Sequence, residues 1–279
     1  MKLKRIFILT TLLITAQYTF AAPPTPDADP VTVDRQKAMQ TLEEQAKAGN
    51  QHARTELGIQ YLFGDFIKAD AKRALQLLSV SADQGDARAQ TALAHMYSQG
   101  IGVTKNMKRS IEWYKKAAQT GYAIAQSKLG YIYKEGVGIQ AKPIEAAKWL
   151  QKAAQQKDTY AQANLAHLYE TGTGLTQDYE KAANWYLQAA QNNHIGAQNR
   201  LAALYEQGKG VAKDLKAAYM WYTIAAVWSD SEHQGLQEGD PRIKLSALLN
   251  QTEIDEATKN AEEWWMKHYK VQDGEQPLH

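Results

Sequence analysis

The chain has 279 residues, of which 44% are hydrophobic and 22% charged, and it has no cysteine. This is the make-up of one or two folded domains with a sizeable core. It excludes a disulfide framework, a thiolate nucleophile, a lipid-modified cysteine and any cysteine-based metal site. A net charge of +2 leaves no basic stripe to displace counterions from phosphates, so no nucleic acid is expected as a partner.

Met1 to Arg5 is basic and Ile6 to Phe20 is mostly apolar, and the small residues Ala21 and Ala22 follow. This pattern predicts a cleaved export signal over 1–22. Fifteen residues of helix reach only about 22 Å, short of a hydrocarbon core of roughly 30 Å. The expected location is therefore periplasmic or secreted, with no stable membrane insertion once the signal is removed. Without Lys2, Lys4 and Arg5 the chain holds 29 basic against 30 acidic residues. A linker over 23–33 follows, with four prolines between Pro23 and Pro30.

From there the chain repeats. Ala38, Leu42, Ala46 and Gly49 match Ala74, Leu78, Ala82 and Gly85, so a lone second helix is expected over 34–50. Ala-Gln pairs stand at 89–90, 125–126, 161–162 and 197–198, a step of 36. Leu93, Leu129, Leu165 and Leu201 keep the same step, as do Tyr97, Tyr133, Tyr169 and Tyr205. So do Trp113, Trp149, Trp185 and Trp221, and two glycine series begin at Gly100 and Gly102. The predicted units are 51–86 (degenerate), 87–122, 123–158, 159–194 and 195–228.

Each unit reads as two helices. Ala89, Leu93, Met96 and Tyr97 lie on one helical face, and Gly100 ends that helix. Asp70, Asn106, Asp178 and Asp214 are good N-caps for the second helix, and in the third unit Pro143 at the first helical position compensates for Lys142. Ile111, Tyr114, Ala117 and Ala118 form the second apolar face. Capping helices are expected over 229–270, with Thr252 and Asp255 as a capping box. Trp264 and Trp265 are adjacent, so one of them is expected to face outward as a contact. A disordered tail is expected over 271–279.

Nothing in the sequence carries chemistry. Gly172-Thr-Gly174 recurs in every unit and lacks a following Lys-Ser/Thr, so it is a turn and not a phosphate loop. His95 and His167 share a repeat position without a local ligand partner. No nucleophile–base constellation occurs. Neither catalysis, a metal nor a cofactor is expected.

The pattern A-x-A-Q-x-x-L-x-x-x-Y-x-x-G-x-G, followed by D/N-x-x-K-A-x-x-W-Y-x-x-A-A, resembles the Sel-like repeat (SLR) of the tetratricopeptide superfamily, over about Asp34 to Trp228. The resemblance implies an all-α fold: a right-handed α-solenoid of five 36-residue helix pairs with a helical C-terminal cap. It also implies that the first helix of each unit turns its non-core stripe toward a concave groove. The stripe changes from unit to unit while the core does not, as a binding groove requires. The expected protein-binding residues are Leu62, Phe63, Arg88, His95, Tyr131, Lys134, Tyr160, His167, Asn199 and Glu206. The family implies a periplasmic protein–protein interaction adaptor that positions or regulates an envelope assembly; a link to type VI secretion is compatible with this reading and with the alternative below. Its partner would be an envelope or secretion-system component. The alternative is an immunity protein that neutralises a periplasm-active toxin such as a phospholipase.

Overall fold

The computed structural model describes residues 30–64, 67–226 and 239–268, with side chains from Lys37 onward. The expected export signal, the linker ahead of Pro30, Trp228 and the tail over 271–279 lie outside the described residues. Among the described residues there are thirteen helices and no strand.

A leading helix, α1 (Pro30–Lys47), precedes five helix pairs. The first pair is α2 (Gln51–Phe63) and α3 (Ala71–Asp83), and the second is α4 (Ala87–Gln99) and α5 (Met107–Gln119). Then come α6 (Ala123–Glu135) with α7 (Pro143–Gln155) and α8 (Thr159–Thr171) with α9 (Tyr179–Gln191). The last pair is α10 (Ile195–Gln207) with α11 (Leu215–Ala226), and α12 (Pro241–Ser246) and α13 (Gln251–His268) follow. Each helix from α1 to α11 packs on the next, and α13 lies against α11. The first helices of neighbouring units also touch, α2 on α4, α4 on α6 and α6 on α8. This is an all-α solenoid. Helix α1 begins four residues ahead of the expected Asp34, because proline at the first helical position gives up an N–H that has no helical partner there.

The 36-residue clock records what each unit buries. Leu57, Leu93, Leu129, Leu165 and Leu201 are all at most 5% exposed, so each contributes roughly 1.5–3 kcal/mol. The Ala-Gln pair joins one unit to the one before it. The alanines at 89, 125, 161 and 197 are fully buried. The Nε2 groups of Gln90, Gln126, Gln162 and Gln198 donate to the carbonyls of Ala82, Ala118, Ala154 and Ala190, at 3.0, 3.1, 3.4 and 3.1 Å. Those carbonyls lie in the last turn of the preceding second helix, where intrahelical partners run out. The core is continuous: Trp113 packs against both the first and second buried clusters, and Tyr169 and Trp185 against both the second and third. Lys116 and Lys152 sit over the rings of Trp113 and Trp149, 3.8 and 4.7 Å from their centres.

The two glycine series do different work. Gly172 caps α8 in the left-handed conformation, φ 71°. Gly174, at φ 79°, lies against the backbone of Pro143 in the previous unit, so a Cβ there would strike the start of α7. Within a unit, another small residue sets how closely the two helices approach. A Cβ on Gly58 would come within 2.8 Å of Leu78 Cγ, and one on Gly130 within 2.6 Å of Leu150 Cγ. Where the second helix carries Tyr114, Tyr186 or Tyr222 instead of leucine, the first carries Ala94, Ala166 or Ala202.

The N-caps of the second helices are as the sequence reads: Asp70, Asn106, Asp178 and Asp214 each accept backbone N–H bonds, and Lys142 makes no side-chain cap. Two expectations about the C-terminal cap need correction. The capping box is formed by Asn250 and Glu253: Glu253 N donates to Asn250 Oδ1 (3.0 Å), and Asn250 N donates to Glu253 Oε2 (2.9 Å). Thr252 already lies inside α13, because asparagine two residues earlier is the stronger cap. Neither Trp264 nor Trp265 projects into solvent. Both pack half-buried against the last core cluster, and Trp264 meets Trp221 edge-on at 5.8 Å and stacks on His268 at 4.1 Å.

Candidate functional site

The stripe between the core positions of the first helices divides into four parts in the structure. Phe63, Tyr131 and Tyr160 stand out, 56%, 46% and 70% exposed. Phe63 lies beside His95 with ring centres 6.0 Å apart, and Tyr160 meets His194 edge-on at 5.4 Å. Asn199 is exposed and bonds only within its own helix, to Ile195 O.

A second part is buried between units. Leu62, expected in the lining, is only 7% exposed and belongs to the core cluster that contains Leu78. Thr55 and Ser127 are buried too, because adjacent first helices lie side by side. Thr55 Oγ1 donates to Asp86 Oδ2 (3.0 Å), and Ser127 Oγ donates to Asp158 Oδ1 (2.8 Å). Asp86 and Asp158 are themselves the N-caps of the next first helices, so one carboxylate caps a helix and holds the neighbouring unit.

A third part is engaged in polar ties on the surface. Arg88 Nη2 donates to Glu56 Oε2 (2.6 Å). Glu206, expected to be available in the groove, is tied to the C-terminal cap instead: Lys244 Nζ donates to its Oε1 (2.6 Å), and Tyr222 Oη lies 3.5 Å from its Oε2. Burial, reinforced by Glu206, pushes the Tyr222 hydroxyl up to about 12.

Lys134 and His167 meet in a pocket of about 290 Å³ formed by α6, α8 and α10 with Tyr186 of α9 behind. Lys134 Nζ donates to Asn164 Oδ1 (2.6 Å) and pairs with Glu135 (2.9 Å). Glu170 sits beneath, where its Oε2 accepts from Tyr186 Oη (2.7 Å) and its Oε1 lies 3.5 Å from Arg200. His167 Nδ1 is 3.8 Å from Glu170. Burial lowers the pKa of His167, and Lys134 lowers it further; Glu170 opposes them. Burial likewise lowers His194, on the same pocket wall, and His95. These imidazoles are therefore neutral at pH 7. Burial, reinforced by Glu170, raises the Tyr186 hydroxyl so far that it stays a donor. The pocket walls thus offer N–H donors and neutral rings. Among the described residues, no group of three His, Asp or Glu side chains gathers to hold a metal, and no helix is long and apolar enough to cross a membrane.

The sequence reading missed Asn164, Arg200 and Tyr186. Asn164 and Arg200 share a repeat position with Glu56, Ala92 and Lys128, one residue beyond the stripe. Tyr186 reaches the pocket from a second helix. The available signal was paired spacing: Glu170 with Tyr186 and Glu206 with Tyr222, sixteen residues apart, and Thr55 with Asp86 and Ser127 with Asp158, thirty-one apart.

The Sel1 repeat matches residues 51–86, 87–122, 123–158, 159–194 and 195–226. Among solved structures, the Sel1 repeat protein from Oxalobacter formigenes is 29% identical, with 82% of this chain and 94% of that one covered and a TM-score of 0.68. The protective antigen c5321 of uropathogenic Escherichia coli, which displays an SLR fold, is 23% identical, covers 86% of this chain and 61% of its own, and gives a TM-score of 0.54. No curated protein matches the sequence. With five matched units running from residue 51 to residue 226, the chain belongs to the Sel1 repeat family.

Proposed function

We propose that this protein is a periplasmic adaptor. It holds a segment of a protein partner on the face formed by α2, α4, α6, α8 and α10, and so positions or regulates an envelope assembly such as a type VI secretion machine. The Sel1 repeat fold supports a protein–protein interaction scaffold, typically a non-catalytic one. The observation that carries the reading is the exposure of Phe63, Tyr131 and Tyr160 on one face of that scaffold. Large rings in water cost free energy unless a partner covers them, and aromatic anchors dominate binding at protein interfaces. The export pattern at the N-terminus supports the compartment.

The test is photocrosslinking in cells, with a photoreactive phenylalanine placed at Tyr160 or at Lys115, an exposed position on α5. The proposal expects crosslinks to one envelope protein from position 160 and none from 115. Equal yields from both positions contradict it. A deletion strain that loses the assembly supports the adaptor role. A strain that keeps the assembly but is killed by a toxin of its siblings replaces that role with immunity.

A further inference from the structure

The pocket between α6, α8 and α10 exists because two repeat positions lose their side chains there. The position held by His52, Arg88, Ile124 and Tyr160 is Gly196 in the fifth unit. The position held by Thr55, Thr91 and Ser127 is Ala163 in the fourth. The space opens onto two cations from different units. Lys134 has three N–H donors, of which the contacts to Asn164 and Glu135 engage two. Arg200 is half-exposed, and its guanidinium of five donors meets Glu170 through a single ion pair of 3.5 Å. No carboxylate stands among the lining residues, and Glu170 beneath them accepts the Tyr186 hydroxyl. His194 of the pocket wall meets the exposed ring of Tyr160 edge-on, so a pair of rings stands beside the pocket. The walls have donors to give and a cavity to give them into, and what complements them is an anion on a short apolar stem.

We infer that the pocket receives the side-chain carboxylate of an aspartate or glutamate from a protein segment lying along the first-helix face. This deepens the adaptor reading and rests on it. The carboxylate takes the third N–H of Lys134 and the free edge of Arg200, and its methylene stem lies against the Tyr160–His194 rings. Hydrogen bonds between ionised partners are about twice as strong as neutral ones, so this one contact sets the register of the whole segment.

Random peptides displayed on phage and selected on the full chain test this. The expected result is enrichment of Asp or Glu at one position, lost when selection is repeated on Lys134→Ala/Arg200→Ala. The best peptide should bind at least tenfold more weakly when its acidic residue is changed to Gln or Asn. A second variant, Gly196→Leu, fills the pocket from an exposed helical position where a Cβ meets only the His194 ring. It should weaken binding at least tenfold at an unchanged thermal midpoint. Peptides that bind without an acidic preference, or an amide copy that binds within twofold, overturn the pocket assignment and leave the groove reading standing. Failure to select any peptide at all overturns both.

Discussion

Replacing Gly130 by alanine isolates the contact that fixes how closely the two helices of a unit approach. In an open helix interior this change would stabilise by about 1 kcal/mol, since alanine is the better helix former. Here the new Cβ would lie 2.6 Å from Leu150 Cγ, 2.8 Å from Cδ2 and 3.2 Å from the Leu150 backbone nitrogen. Carbon atoms pack best at about 3.5–4.0 Å, so the overlap is roughly an ångström. Leu150 is fully buried and cannot swing clear. Overpacking of this kind costs about 1–3 kcal/mol, which leaves a net loss of about 0–2 kcal/mol once the helical gain is subtracted. The units that carry tyrosine at the Leu150 position carry alanine at the Gly130 position, because a flat ring can lie beside a methyl group where a branched Cγ cannot. Gly130→Ala/Leu150→Tyr should therefore recover most of the loss, with a coupling of about 1–2 kcal/mol in the double-mutant cycle. Urea unfolding followed by helical circular dichroism reads all four corners. A Gly130→Ala variant more stable than the parent, or a cycle with no coupling, would show that this contact does not set the helix spacing.

Gly174→Ala adds a methyl at φ 79° against Pro143, so thermal denaturation should show a loss of about 2 kcal/mol or more, whereas Ala141→Gly on the exposed loop of α7 should show little. Tyr186→Phe leaves Glu170 without its hydroxyl partner and should cost about 1–2 kcal/mol in the same urea assay. Acid should destabilise the fold. His95, His167 and His194 lie below the usual 6.5 in the folded chain, so the unfolded chain binds their protons first. Their contribution is present above pH 6.5 and is lost as pH falls through the folded values. His194 has a second reason to resist protonation: its Nδ1 accepts from Ala197 N (3.0 Å) as the N-cap of α10, and an imidazolium cannot accept. The thermal midpoint should drop between pH 7.5 and 5.5, and His194→Asp, which keeps a cap, should flatten that drop; a midpoint that rises over this range contradicts the assignment.

The helix pairs were legible because every unit buries the same positions and ends its first helix at the same glycine, so the 36-residue clock is itself a record of packing. What the clock concealed is an alternation over the first four units that lapses in the fifth. Units 1 and 3 share Gly58 and Gly130, Leu78 and Leu150; units 2 and 4 share Ala94 and Ala166, His95 and His167, Tyr114 and Tyr186; unit 5 keeps the pair of the fourth as Ala202 and Tyr222. These residues meet partners in the other helix or the next unit, and a helical wheel drawn for one helix cannot show such contacts. The same limit explains Leu62, which one helix places on a stripe and its neighbours bury. It explains Glu206 as well, since Lys244 reaches it from the cap, 38 residues on. The exposed rings at Phe63, Tyr131 and Tyr160 were readable because no core position in the repeat calls for them.

Occupation of the first-helix face by a partner is read without an intermediary by hydrogen exchange. The full chain would be compared with and without the protein that crosslinks at position 160. A partner on that face slows exchange in α6, α8 and α10 and leaves α5, α7 and α9 unchanged. Protection confined to the second helices or to the cap around α13 would contradict it.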